Sequence, residues 1–143
     1  MLNQRLRLHP PIGKRHSWLK FLLVILSVEK AIQHIVVTVS FYLNISDIRA
    51  RVVPDYNILM AAGGVIALLF VLALWLMFRD ITLAIKLLVL LAAFDIAGEF
   101  IAQGTIAISI TVSFIIAVIL LFSALAYEKS VLQQTADAGA MRP

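Results

Sequence analysis

The chain has 143 residues, of which 62% are hydrophobic and 14% are charged, and its mean hydropathy is +1.01. A soluble domain is nearer half apolar and a quarter charged, so we expect lipid to cover much of the surface. The chain contains no cysteine. This excludes disulfides, thiolate metal sites and the membrane oxidoreductases that couple quinones to disulfide exchange. We therefore predict an all-α integral membrane protein.

The first twenty residues form a basic segment without acidic side chains. Its cations are Arg5, Arg7, Lys14, Arg15 and Lys20. Two prolines and a glycine argue against one continuous helix, so residues 1–20 are predicted to be a basic cytoplasmic tail that ends near Trp18 at the membrane interface. The apolar run that follows is too long for the hydrophobic region of a signal peptide, and we expect it to be retained as a first span.

Four apolar segments each approach the ~20 residues that cross a bilayer. They lie at about 21–43, 57–78, 81–103 and 106–127. We predict a single four-helix, four-span bundle over residues 21–129, followed by a short cytoplasmic tail at 130–143. Polar residues around Pro54, the pair Arg79–Asp80, and a tight turn at Gly104 are predicted to connect the spans.

Lysine and arginine residues are unevenly distributed between the two sets of span ends. With a cytoplasmic N-terminus, the inner side receives the basic tail together with Arg79, Lys129 and Arg142, whereas the outer side receives only Arg49 and Arg51. The positive-inside rule then places both termini in the cytoplasm. The predicted location is the inner (plasma) membrane, as a multi-pass protein.

Two of the predicted spans carry most of the polar residues. The first span contains Glu29, Lys30, Gln33 and His34, and the third contains Asp95, Glu99 and Gln103. A charge at the centre of a span costs about 2.5–3.5 kcal/mol. These seven residues should therefore face each other, a partner chain or a wet cavity, and we treat them as a candidate site for a ligand or a proton.

Helix rise predicts which of these residues meet. Residues 20–35 align weakly with residues 86–101, so equivalent positions should lie at comparable depth. His34 and Asp95 are both about 21 Å from the start of their spans and are predicted to meet near the midplane. Lys86 is predicted to reach Glu29 through its long side chain. Lys30 requires Asp95, Glu99 or another protomer as its partner.

The second and fourth predicted spans contain features that fit helix packing. The sequence AAGG at 61–64 permits close approach of a neighbouring helix. Ser109, Thr111 and Ser113 make the outer end of span four mildly polar. Bonding of these hydroxyls to the backbone is one interpretation, and a polar outer vestibule that continues from Gln103 is the other.

The polar residues allow two interpretations, a hydrogen-bonded clasp between helices or a functional site. Intramembrane polar contacts stabilise by only about 0.6–2 kcal/mol each, and seven polar residues exceed what a clasp needs, so the site is favoured. A lone intramembrane histidine does not indicate haem or another metal centre, and no cofactor is predicted. The basic tail is expected to contact anionic membrane lipids and no nucleic acid.

Short stretches resemble a family of four-helix membrane proteins. SVEKAI in the first span, LWLMFR at the end of the second and the acids within the third are similar to the domain of unknown function 2127 family. The resemblance covers residues 18–129 and implies that Glu29 and either Asp95 or Glu99 match the family's intramembrane acids. It implies no activity. Small multidrug transporters share the four-span plan, but Lys30 and His34 beside the glutamate depart from them.

Three functions remain open at this point. The favoured one is binding or transport of a proton, a cation or a small amphiphile, with a homodimer forming the transport path. The second is a structural or accessory subunit whose charges pair with a partner membrane protein. The third is a lipid-modifying enzyme that uses His34 with Asp95 or Glu99 for acid–base chemistry. The sequence favours a protein that is not an enzyme.

Overall fold

The computed structural model describes residues 14–53, 55–104 and 111–140. Over these ranges the chain is all-helical, which confirms the predicted all-α class. The α-helices are α1 Lys14–Leu43, α2 Tyr56–Phe78, α3 Leu83–Gln103 and α4 Val112–Ala140, and a 3-10 helix at Ile45–Arg51 connects α1 to α2.

Several helix boundaries differ from the predictions. Helix α1 begins at Lys14, so residues 14–20 are helical, because the helix-breaking prolines and Gly13 all lie upstream. Helix α3 begins at Leu83, two residues later than predicted. Helix α4 continues to Ala140 into the predicted C-terminal tail, where alanine, glutamine and leucine sustain a helix. The predictions for residues 1–13 and 106–110 lie outside the described residues.

Among the described residues, three helices are long and apolar enough to cross a membrane. The segments are Ser17–Leu43, Tyr56–Phe78 and Val112–Gln133. Helix α3 has 21 residues but carries Lys86, Asp95 and Glu99. Large apolar side chains are exposed around the molecule, for example Leu68 at 71% and Phe122 at 67%. Such a surface is typical of a protein that contacts lipid.

The four α-helices form a bundle in which each helix packs against two neighbours. Helix α1 packs against α2 and α4, and α3 packs against the same two helices, so α1 and α3 lie diagonally opposite each other. Fully buried Leu23, Phe70, Leu88 and Leu120 contribute one side chain from each helix to the core. Charged residues on α1 and α3 that point to the centre can therefore meet across the core.

The α1–α2 connection contacts the C-terminal end of α3, and we call this end of the molecule the connection end. Arg49 in the 3-10 helix donates to the carbonyl oxygens of Phe41 and Tyr42, each at 2.7 Å, at the C-terminus of α1. Val53 N–H donates to the carbonyl of Ala102 at 3.3 Å. Gly104 ends α3 in the left-handed region at φ +64°. The tight turn predicted to follow it falls on residues 105–110, which lie outside the described residues.

The predicted close approach at AAGG is confirmed at one of its two glycines. A Cβ added to Gly63 would lie 2.7 Å from Thr38 Oγ1 and 3.8 Å from the His34 carbonyl oxygen, whereas one added to Gly64 would meet nothing within 4 Å. Gly63 therefore allows α2 to approach α1 beside His34.

We expect Gly63→Ala to lower the free energy of unfolding by about 1–3 kcal/mol, because the stiff β-branched Thr38 must move to make room. Gly64→Ala is the matched control and should be neutral or stabilising, since alanine is the better helix former. Thermal unfolding of both variants in the same lipid environment checks this. Equal effects of the two substitutions would contradict the close contact at Gly63.

Candidate functional site

Lys30 is completely buried at the centre of the molecule. Its Nζ lies 2.6 Å from Asp95 Oδ2 on α3, and it donates to the Ser113 carbonyl oxygen at 2.7 Å and to Ser113 Oγ at 2.9 Å on α4. Gln33 Oε1, one turn along α1, accepts at 3.0 Å. Lys30 therefore joins three helices, and of the three partners left open by the sequence it contacts Asp95.

His34 approaches the second oxygen of the same carboxyl group. Its Nε2 lies 3.2 Å from Asp95 Oδ1, which confirms that these two residues meet. The imidazole ring is stacked on Phe70 of α2, with ring centroids 5.8 Å apart. We name these residues the Lys30–Asp95–His34 cluster, and together with Ser113 and Phe70 it links all four α-helices.

The distances and angles within the cluster indicate that Asp95 interacts with Lys30 and His34 mainly through electrostatic attraction. Asp95 Oδ2 and His34 Nε2 are within ion-pair distance of their partners, yet neither makes a hydrogen bond of acceptable angle. We therefore treat the two contacts of Asp95 as electrostatic, since distance alone decides an ion pair while a hydrogen bond also needs alignment. Asp95 is only 9% exposed in its side chain, so these contacts act in a low-dielectric environment.

Glu99 lies one turn beyond Asp95 and has a different environment. Its Oε1 accepts from Thr111 Oγ1 at 2.9 Å, and its Oε2 accepts from Gln103 Nε2 at 3.3 Å. Thr111 Oγ1 in turn accepts from the Phe114 backbone N–H at 3.0 Å, and so caps the start of α4. Within the described residues no cation lies within ion-pair distance of Glu99, so only neutral donors contact its carboxyl group.

The predicted pair between Glu29 and Lys86 does not form. Glu29 Oε2 is buried without a hydrogen-bond partner, and Lys86 is exposed on α3. Within the part of the chain that the structure describes, neither residue has an ion-pair partner. The depths agree, but α1 and α3 lie diagonally opposite each other, and Lys86 is exposed on α3 instead of facing α1. Glu29 and Lys86 therefore lie outside the cluster.

A cleft of about 260 Å³ adjoins the cluster in the half of the molecule nearest the connection end. Its lining residues on α1, α2, α3 and α4 are Gln33, His34, Val37, Phe41, Leu59, Ala62, Gly63, Ile66, Phe94, Asp95, Gly98, Glu99, Ala102 and Ser113. The polar members come from the first and third predicted spans and from Ser113. The rest of the wall is apolar, so the cleft has one polar side and one apolar side.

Sequence reasoning found the polar side of the cleft and missed its apolar wall. Of the seven predicted site residues, Gln33, His34, Asp95 and Glu99 line the cleft, whereas Lys30 is not among its lining residues. Gln103 lies one turn further and contacts Glu99. Apolar residues such as Phe41 and Phe94 give no signal in a sequence already rich in apolar residues. Thr111 and Ser113 contact Glu99 and Lys30, which fits the interpretation that the outer end of α4 continues the polar region.

The arrangement also bears on metal binding. Within the described ranges, no group of three or more His, Cys, Asp or Glu residues is close enough to hold a metal ion. Asp95 already contacts a lysine and a histidine. The site chemistry is therefore that of an ion-pair cluster beside an uncompensated carboxyl group.

Over the described ranges, the fold is all-helical with three helices of membrane-spanning length, and the site is a charged cluster beside an internal cleft. The chain matches no family model, no curated protein and no solved structure. The resemblance to the domain of unknown function 2127 family stays a prediction. Function must be argued from the site.

Proposed function

We propose that the protein crosses the plasma membrane four times, with α3 as the additional span and both termini in the cytoplasm. The lateral packing of α3 supports this, because it places Asp95 in the protein interior against Lys30 and His34. In this orientation the positive-inside rule puts the connection end on the outer side.

We further propose that the cleft binds a small amphiphile with a cationic or hydrogen-bond-donating head. The observation that carries this proposal is the uncompensated Glu99. Lys30 offsets the charge of Asp95, but among the described residues the other carboxyl group that lines the cleft contacts only the neutral donors Thr111 and Gln103. A cationic head supplies the missing countercharge in a medium where a lone charge is costly.

The cleft walls favour a ligand that also has a short apolar part. Phe41, Leu59 and Phe94 present apolar surface to the same cleft that Glu99 lines. A volume of about 260 Å³ lies just below the ~300–1,000 Å³ typical of ligand pockets, so the ligand should be small. A primary or quaternary ammonium group with a short alkyl chain meets both conditions.

A structural role is the second candidate, and one observation favours it. The Lys30–Asp95–His34 cluster contacts all four α-helices, as a clasp between helices would. This role explains Lys30 and Asp95. Glu99 also joins α3 to the start of α4 through Thr111. A structural role does not explain the cleft or why position 99 carries an acid instead of a neutral acceptor, which is why we favour ligand binding.

Thermal unfolding in lipid nanodiscs with three amphiphiles of equal chain length tests the proposal. The probes are octylammonium, octanol and octyl sulfate, which differ only in the charge and chemistry of the head. We expect octylammonium to raise the unfolding temperature most, because its cationic head supplies the countercharge to Glu99. A ligand at ~100 times its Kd stabilises the native state by about 2.7 kcal/mol.

The matched variants are Glu99→Gln and Glu128→Gln. The first keeps the shape of the side chain that lines the cleft and removes its charge, and the second removes a carboxyl group on α4 outside the cleft lining. The octylammonium effect should disappear in Glu99→Gln and persist in Glu128→Gln. Equal protection by all three probes, or full protection of Glu99→Gln, would contradict the proposed site.

A further inference from the structure

Two charged residues in the proposed spans have no ion-pair partner among the described residues. Glu29 is partly buried on α1 with Oε2 lacking any hydrogen bond, and Lys86 is exposed on α3. In the described residues neither side chain is in an ion pair. Lone charges of opposite sign on two apolar helices are each unfavourable in lipid and are both relieved if they meet.

The two residues lie at similar depth. The ion pair between Lys20 and Asp80 places these two residues at one level near the end of α1 and the α2–α3 connection. Glu29 is nine residues beyond Lys20 and therefore about 13 Å deeper, and Lys86 is six residues beyond Asp80 and about 9 Å deeper. The flexible lysine stem can cover the difference of one helical turn.

The surfaces around the two charges fit each other. On the outer side of α1, Ile25, Val28 and Ile32 are 48%, 41% and 56% exposed beside Glu29. On the outer side of α3, Ala93 and Ala97 are exposed four residues apart in line with Lys86. Small residues at this spacing allow a neighbouring helix to approach closely.

We propose that the outer face of α1 in one copy packs against the outer face of α3 in a second copy, with Glu29 paired to Lys86 of that copy. Charge complementarity at matched depth identifies the occupant as a second copy of this chain. The proposal depends on membrane insertion and is independent of the ligand in the cleft.

The diagonal placement of α1 and α3 decides the type of assembly. A two-fold dimer uses the same patch on both copies, but these two faces point to opposite sides of the molecule. The contact is therefore heterologous, and successive copies form a ring or a row within the membrane. This differs from the homodimer that the sequence favoured.

Disulfide crosslinking tests the contact. The sequence contains no cysteine, so any disulfide must join the introduced residues. Ile32→Cys and Leu90→Cys are introduced into separate, differently tagged copies that keep Glu29 and Lys86, and the co-expressed copies are oxidised in native membranes. These positions are 56% and 65% exposed and lie at depths of about 18 and 15 Å on the scale used above. Ile32→Cys with Leu68→Cys on α2 is the control pair, since Leu68 is 71% exposed and lies at about 18 Å depth.

We expect the Ile32–Leu90 pair to crosslink between copies at least ~10-fold more than the control pair, a ratio equal to about 1.4 kcal/mol. Glu29→Gln and Lys86→Gln should each reduce the yield, and the exchange Glu29→Lys with Lys86→Glu should restore it. Size-exclusion chromatography confirms that each variant is folded, and Lys86→Gln tests the pair alone if Glu29→Gln misfolds. A yield equal to that of the control pair, or one unaffected by the two neutral substitutions, would overturn the proposal.

Discussion

Lys30→Met is expected to lower the free energy of unfolding by about 3–5 kcal/mol, the usual cost of removing one partner from a buried ion pair. Lys30 is fully buried and its Nζ holds Asp95 at 2.6 Å. The variant leaves the Asp95 carboxyl group in the interior with only His34 beside it. It also removes the donor that binds Ser113 on α4. Denaturation of both proteins in mixed micelles measures the difference.

Lys86→Met is the matched control for this experiment, because Lys86 is exposed and has no ion-pair partner in the described chain. Its effect on the dilute, unassociated protein should be within about 0.5 kcal/mol. The double variant Lys30→Met/Asp95→Asn should recover part of the loss, since the buried charge is then removed as well. A Lys30→Met effect as small as that of Lys86→Met would show that the cluster does not hold the helices together.

Phe70→Ala is expected to destabilise the protein by about 3–5 kcal/mol, because the substitution opens a cavity in the core. Phe70 is 0% exposed and its ring is stacked against His34. Loss of the ring should also release the imidazole from its position beside Asp95. Thermal unfolding measures the stability, and the NMR signal of the His34 ring reports its mobility.

Phe78→Ala provides the control on the same helix. Phe78 is 67% exposed, so its truncation creates no internal cavity and should change the unfolding temperature far less. If both substitutions had the same effect, the packing of Phe70 between His34 and the core would be contradicted.

Helix positions were predictable from the sequence because apolar runs of bilayer length are a strong signal. The errors lie at the helix ends. Residues 14–20 and 130–140 are mostly polar or small and contain no apolar run of spanning length, yet they continue α1 and α4. Helix continuation there depends on the absence of proline and on helix propensity, which a hydropathy pattern does not measure.

The depth of each site residue along its helix was predictable from the sequence, but the direction in which its side chain points was only partly predictable. Rise per residue placed His34 level with Asp95, and the structure confirms that they meet. The same arithmetic placed Lys86 near Glu29, but it gives no information on which way a helix is rotated. Lys30 and Glu29 are neighbours in sequence and diverge by about 100° around α1, so the interior position of Lys30 leaves Glu29 outside.

The apolar wall of the cleft was not predictable. Leu59, Ile66 and Phe94 come from three turns of two helices, and each resembles any other lipid-facing or core residue. Their grouping depends on the tertiary arrangement and on the close approach that Gly63 permits. A single sequence contains the polar residues of such a site as a local pattern but not its apolar lining.

Photolabelling is the most direct test of the proposal that the Glu99 cleft binds a cationic amphiphile. An alkylammonium probe with a diazirine in its chain is irradiated with the protein in nanodiscs, and the modified residues are mapped by mass spectrometry. We expect adducts on the cleft-lining segments 59–66 and 94–102, competed by unlabelled octylammonium and lost in Glu99→Gln. Adducts spread over outward residues such as Leu68 and Phe122, with the same yield in Glu99→Gln, would contradict it.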